Sequence, residues 1–414
     1  MVSYIILAIF IYAYIKCFSK AFIALIVLYP FLDQFIVPGF PIGLYSTLSL
    51  ISFVFYILKY GINYNILKLC PSALSLLFLC FSYFISNYYA STKHYPTLIL
   101  NVIQIFNIFI IYSIIKKSPQ QYVPYFVRIC YVFGGIVAIY ALYEAVTRTN
   151  PYIQFVNDLN IYSQKFYITE VRFGIKRCQS FFSMHTILGA VALILGCFLF
   201  YIKQNTNILN NLKFSTFVIF LLFLTVFLTG ARSAILGTLV CLLMFFKKKY
   251  IKAKYAVPFF CIIGILMFLF SDYFGSIYQS ILDTEKVGGS NKDMREVQLE
   301  TSLYFLNRSF WFGNGLAYTF EFVQANLKNE INGAESMWFP IMIDQGFIGI
   351  CCYIMFIISC IYFVIKWKLY SLLLFILGIL IFNTMSSVPS FNFAYIIIYL
   401  YIMFKCKFSS KLSI

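Results

Sequence analysis

The chain carries little charge, and negative charge is the scarcer sign. Asp and Glu number 14 against 31 Lys and Arg in 414 residues, so charged residues are 11% and hydrophobic ones 62%. A soluble globular chain carries about a quarter charged residues, so this composition excludes a water-facing surface over most of the protein. Histidine is limited to His94 and His185, so no metal site built on histidines is expected. The twelve cysteines include no CxxC pair. They are mostly dispersed in apolar runs as small core residues, and Cys178 alone falls in an expected outer loop. A cleavable leader is not expected. No basic residue precedes the first apolar run and no small-residue cleavage site follows it, so that run is expected to persist as a span.

What fills the chain instead is apolar sequence. Runs of about 15–25 residues mark membrane-crossing helices. They fall near 3–15, 21–37, 43–58, 71–87, 97–115, 123–146, 182–201, 214–229, 233–246, 255–271, 337–365, 369–384 and 391–404. The expected fold is therefore all-α. It is a polytopic integral membrane protein with about 12–13 transmembrane helices, the lower count applying if the short first two form one interrupted element. The chain reads as a single domain over 1–414, with a large extracytoplasmic loop at 272–336 and a smaller one at 147–181.

Lysine sets the sides. Lys16 and Lys20, Lys59 and Lys68, Lys116 and Lys117, Lys203 and Lys213, the cluster from Lys247 to Lys254, Lys366 and Lys368, and the tail from Lys405 to Lys411 share alternate connections. Such a bias marks the cytoplasmic side. It also accounts for the formal charge of +17, and no nucleic-acid partner is expected. Arginine does not follow lysine. Arg128 falls near the inner side, whereas Arg148, Arg172, Arg177, Arg232, Arg295 and Arg308 fall outside or at the outer boundary. A guanidinium is a planar, permanently charged fork suited to phosphate or carboxylate. An anionic ligand at the outer face is one reading of that set, and ordinary pairing with Asp158, Glu170, Asp293 or Glu296 is the other.

Arg232 stands in Thr229-Gly230-Ala231-Arg232-Ser233, where small neighbours let helices approach on the side that basic residues otherwise avoid; snorkelling is the bland alternative. Arg295 opens an amphipathic helix whose apolar face is expected at Leu299, Leu303 and Leu306. Gly313-Asn314-Gly315 marks a tight turn and is a weak phosphate-loop signal. Glu335 lies at the threshold of a span, as a candidate general base or a helix cap. Asp344, deeper in that span, needs a partner or a pore-side role. His185 begins another span and is a second candidate proton acceptor. Trp311, Trp338 and the outer tyrosines can stack on sugars or form an interfacial belt.

In this order the segments resemble the O-antigen polymerase (Wzy) and O-antigen ligase superfamily, over roughly residues 170–365. Arg177 to His185 looks like the motif R-x-x-G-x-F-x-x-P-N, with Gln179 in place of its Gly and Met184-His185 in place of Pro-Asn. Thr229 to Ser233 resembles T-x-S-R-[GS]. Arg295 followed by Phe312-Gly313-Asn314-Gly315-Leu316 resembles R…P-x-x-G-x-G. Glu335-Ser336 through Gly349 is similar to [HE]-[NS]…G-x-x-G, and Glu-Ser in place of the ligases' His-Asn leans towards polymerase.

The resemblance implies a GT-C-like membrane fold in the bacterial inner membrane, with the active site facing the periplasm. It implies transfer of a growing glycan from undecaprenyl pyrophosphate to the non-reducing end of a new lipid-linked repeat unit, without a cofactor or metal. The expected partners are the undecaprenyl-pyrophosphate-linked oligosaccharide, membrane lipid, a Wzz-like chain-length regulator and the flippase of the same pathway. On this reading Arg232 and Arg295 hold the pyrophosphate, with Arg177 and Arg172 in support and Trp338 against the substrate. Glu335 or His185 takes the hydroxyl proton. The rivals are a ligase, a lipid-linked oligosaccharide flippase or other transporter, and a membrane scaffold without enzymatic activity.

Overall fold

A computed structural model describes residues 2–39, 42–61, 70–159, 171–172, 175–210, 212–245, 292–325, 334–386 and 393–408. The expected span at 255–271, the lysines from 247 to 254, and Asp283, Glu285, Lys286 and Gly333 lie outside these residues. The protein is an all-α polytopic membrane protein. Its helices are α1 (Val2–Val27), α2 (Tyr29–Leu32), α3 (Leu44–Tyr60), α4 (Ala73–Tyr89), α5 (Tyr95–Lys117), α6 (Pro119–Thr147) and α7 (Pro151–Leu159). They continue with α8 (His185–Asn205), α9 (Ser215–Leu228), α10 (Arg232–Leu242), α11 (Lys292–Arg308), α12 (Tyr318–Ala325), α13 (Trp338–Lys366), α14 (Leu372–Met385) and α15 (Ile396–Phe408). Between α7 and α8, β1 (Val171–Arg172) and β2 (Ile175–Lys176) form a two-residue antiparallel ladder. The segment 147–181 therefore holds a short helix and an antiparallel ladder. Among the described residues, five helices are long and apolar enough to cross a membrane: α1, α5, α6, α8 and α13.

Two of these five are interrupted. Cys17 has non-helical angles inside α1. A straight helix would hold Ser3 and Val27 about 36 Å apart at 1.5 Å per residue. Yet the Ser3 hydroxyl donates to the Ile36 carbonyl at 2.6 Å and Tyr4 OH to that of Pro38 at 2.6 Å. The short stretch from Val27 to Ile36, partly helical in α2, cannot cross that distance. The chain therefore reverses at Cys17, and the two short first runs are antiparallel arms rather than one span. Lys16 and Lys20 mark the reversal.

The helix-ending lysines gather at one end of the bundle. Helices α3, α5, α8, α13 and α15 all carry lysine in their last turns, where a cation also suits the helix dipole. Ser19 at the α1 reversal hydrogen-bonds Tyr60 at the end of α3 at 3.3 Å, and Lys117 lies 4.8 Å from the Tyr60 ring centroid. Trp367 stacks on Phe404, beside Lys405. It follows that the starts of α8 and α13, which run towards their lysines, stand at the opposite end.

The second break is in α13, where Gly346 has φ +64°. A helix broken there leaves carbonyls and amides without partners inside the apolar bundle. Residues 310–315 supply them. Asn314 N donates to the Ile343 carbonyl at 2.9 Å and Gly315 N to that of Asp344 at 3.0 Å. Phe347 N and Ile348 N donate in turn to the carbonyls of Phe310 and Trp311. A Cβ on Gly313 would sit 2.4 Å from the Asp344 carbonyl, so only glycine fits. The Gly313-Asn314-Gly315 turn is thus a backbone splice into α13. Its amides go to carbonyls, and a phosphate-loop role for them is corrected. Asp344 finds its partner in the same region: Oδ1 accepts from Thr319 N at 2.8 Å and from Thr319 Oγ1 at 2.6 Å.

Candidate functional site

The end opposite the lysines gathers the arginines that the sequence set apart. Thr229 ends α9 with its hydroxyl on the Val226 carbonyl at 2.7 Å, and Gly230 takes φ +60°. This turn delivers Arg232 as the first residue of α10. Gly189 of α8 packs so closely that a Cβ there would lie 2.9 Å from that of Ala234. The small residues around Arg232 therefore serve close helix approach, as expected. Arg232 itself is half-buried.

Arg177 reaches into the same turn. Its Nε donates to the Thr229 carbonyl at 3.3 Å and its Nη2 to that of Gly230 at 3.5 Å, while Nη2 also hydrogen-bonds His185 Nε2. His185 is therefore engaged by a guanidinium. Cys178 follows, its N–H on the Leu228 carbonyl at 3.0 Å. Burial pushes its thiol up to about 12, with the Glu144 carboxylate adding to the rise and Lys176 opposing it. Such a thiol packs and does not react.

Arg295 and Glu335 meet on the far side of α14. Arg295 Nη2 donates to Glu335 Oε2 at 3.3 Å and to the Met385 carbonyl at 3.2 Å. The side chains remain 33% and 38% exposed, so the pair is open to a ligand. Glu335 does not cap α13. Its carboxylate goes to Arg295, and the Ser336 hydroxyl takes the Trp338 amide instead. Trp338 is tied to the end of α14 through Nε1 and Thr384 Oγ1 at 3.2 Å. The C-terminal end of α14 is thus the hub. Met385 receives Arg295, and the Ser386 hydroxyl bonds Ser233, next to Arg232.

One expectation holds for Leu306 and fails for Leu299 and Leu303. In α11, Gln298, Ser302, Phe305 and Leu306 are buried, whereas Leu299 and Leu303 are each 42% exposed. Gln298 faces inward because its Oε1 accepts the Glu335 amide at 3.3 Å, and Ser302 bonds back onto the Gln298 carbonyl. Satisfied polar groups share this face with Phe305 and Leu306. The arginines also separate into two kinds. Arg177, Arg232 and Arg295 are half-buried, whereas Arg148 and Arg308 are exposed. Arg172 lies in β1, and its side chain is outside the described residues, as are those of Asp158, Glu170 and Asp293.

Residues 217–354 match the O-antigen ligase family. The match covers about a third of the chain and takes in Arg232, Arg295, Glu335 and Trp338. Arg172, Arg177 and His185 precede it. It supports a place in the superfamily of O-antigen polymerases and ligases, which are glycosyltransferase-like enzymes. It lends nothing to the flippase reading. No curated protein matches the chain.

Glu144 and Gln298 escaped the sequence reading. Glu144 carried a signal, being an acid inside the apolar run 123–146, where a charge is costly without a partner. Gln298 carried none, since its partner lies beyond the turn of another element.

Proposed function

We propose that the protein polymerises a surface polysaccharide of the O-antigen type. A hydroxyl at the non-reducing end of a new lipid-linked repeat unit attacks the anomeric carbon of the growing glycan. The bond from that carbon to the pyrophosphate oxygen breaks, undecaprenyl pyrophosphate leaves, and the hydroxyl proton passes to Glu335. The observation that carries this reading is the Arg295–Glu335 pair at the end of α14, where Ser386 also bonds Ser233, the neighbour of Arg232, whose turn Arg177 holds.

A leaving pyrophosphate develops charge that needs fixed cations, and prearranged guanidinium groups supply them without reorganisation. Arg295 has a second task. At rest it holds Glu335. A pyrophosphate drawing the guanidinium to itself releases the carboxylate at the moment a base is needed. Arginine cannot be that base, because its proton is effectively permanent. His185 is the lesser candidate because Arg177 engages its Nε2. Trp338, beside the same helix end, offers a face for a sugar ring.

On this account the lysine end faces the cytoplasm and the arginine end the periplasm of the inner membrane. The substrates arrive from a flippase and the product length answers to a Wzz-like regulator. Catalysis runs on the chain's own groups, without a metal or cofactor. The family's description favours one second reading, a ligase that moves finished polymer onto lipid A–core. Glu335, where the ligase motif has His, supports the polymerase. The test is surface lipopolysaccharide from a deletion strain. Single repeats on core that become a ladder on complementation support the polymerase; bare core with polymer left on its carrier overturns it in favour of ligase.

A further inference from the structure

Glu144 lies outside the matched segment and takes no part in the transfer described above, yet it is fully buried near the end of α6. Its Oε2 accepts the amides of Gln179 at 3.0 Å and Ser180 at 2.8 Å. Its Oε1 lies 3.4 Å from Lys176 Nζ, which is itself buried. Ser180 has φ +51°, which turns two successive amides towards one carboxylate. The Ser180 hydroxyl and carbonyl are held as well, by the Val137 carbonyl and the Asn150 amide. One acid therefore grips the chain on both sides of Arg177, through Lys176 before it and through Gln179 and Ser180 after it.

A buried ion pair is a weak stabilising device, because desolvation offsets most of the attraction. What this one holds is more telling. Arg177 in turn fixes the Thr229-Gly230 turn that delivers Arg232, and it engages His185. We propose that Glu144 is a positioning residue, which sets the Arg177 guanidinium against the Thr229–Arg232 turn and so orients the arginine side of the site. This rests on the function proposed above. Glu144 touches no substrate and acts through Arg177.

The test is a double-variant cycle in the full chain reconstituted in lipid, with Glu144→Gln and Arg177→Lys. Transfer and labelling of Cys178 by a maleimide, read by peptide mass spectrometry, are followed together. Glu144→Gln is expected to lower transfer about tenfold and to add little once Arg177 is Lys, because coupled residues are not additive. Losses that multiply, or full activity in Glu144→Gln, overturn the proposal. Where Glu144→Gln does not fold, Glu144→Gln with Lys176→Gln removes both buried charges and enters the same cycle. Labelling separates this inference from the functional one. A chain with no transfer in any form refutes the function. Faster Cys178 labelling in the variant then still supports the grip, and an unchanged rate overturns it.

Discussion

Arg295 and Glu335 stand 40 residues apart in sequence and 3.3 Å apart in space, with the Met385 carbonyl closing the arrangement on the arginine. The contact joins the start of α11 to the threshold of α13 over the end of α14. It puts a permanent cation and a carboxylate within reach of one ligand.

Replacing Arg295 by Lys keeps the charge and removes the fork. A lysine ammonium cannot serve Met385 and a pyrophosphate in the same plane. Transfer is expected to fall by about two orders of magnitude. Expression and melting temperature should stay near wild type. Equal activity in a reconstituted assay would remove bidentate phosphate recognition from Arg295.

Glu335→Gln keeps the volume and a hydrogen bond to Arg295 but cannot take a proton. Turnover should drop by about 10²–10⁴, with little change in apparent affinity for the lipid-linked donor. A loss confined to affinity would assign Glu335 to binding instead.

Gly313 tests the splice into α13 apart from the chemistry. Its φ is +73°, and an added Cβ would meet backbone 2.4 Å away. Gly313→Ala should lower stability by about 2–4 kcal/mol. Thermal unfolding in detergent checks this, and an unshifted melt would mean that the loop does not dock as described.

Helices α10 and α14 approach through Gly237 and Gly378, whose added Cβ atoms would lie 2.6 Å and 2.5 Å from each other's carbonyls. Gly378→Ala should push Met385 and Ser386 away from Arg295 and Ser233 and reduce transfer about tenfold or more, since small displacements are costly in a site. The readout is transfer activity against melting temperature for the purified variant.

Cys178 gives a prediction in pH. Its thiol is raised to about 12, so between pH 7 and 9 the folded protein holds it protonated and unreactive. Maleimide should label it only after unfolding. Labelling of the folded chain at pH 8 would contradict the buried placement.

Much of this was readable from residues. The apolar runs marked the helices because a crossing element must be long and apolar, and lysine marked one end of the bundle because its bias is additive over many connections. The separation of arginine from lysine picked out Arg177, which holds the turn before Arg232, and Arg295, which reaches Met385 at the end of α14. The rest depended on distant pairing. Nothing local says that Gly313-Asn314-Gly315 spends its amides on a broken helix, since that break forms only once α13 meets the loop. Periodicity places Leu299, Leu303 and Leu306 inward, and Leu306 alone is buried. The competing burial of Gln298 and Ser302, satisfied by Glu335 and by their own helix, displaces Leu299 and Leu303 from that face. Glu144 was visible as an anomaly, but its partners at Lys176, Gln179 and Ser180 were not.

The most direct test is transfer by the purified chain in lipid, supplied with lipid-linked repeat units extracted from a deletion strain. The account predicts glycans of two or more repeats on the lipid carrier, with release of undecaprenyl pyrophosphate. Product should form without lipid A–core, survive chelation of divalent metals, and be lost in Glu335→Gln. Consumption of donor only after lipid A–core is added, with no lengthening on the carrier, would contradict it.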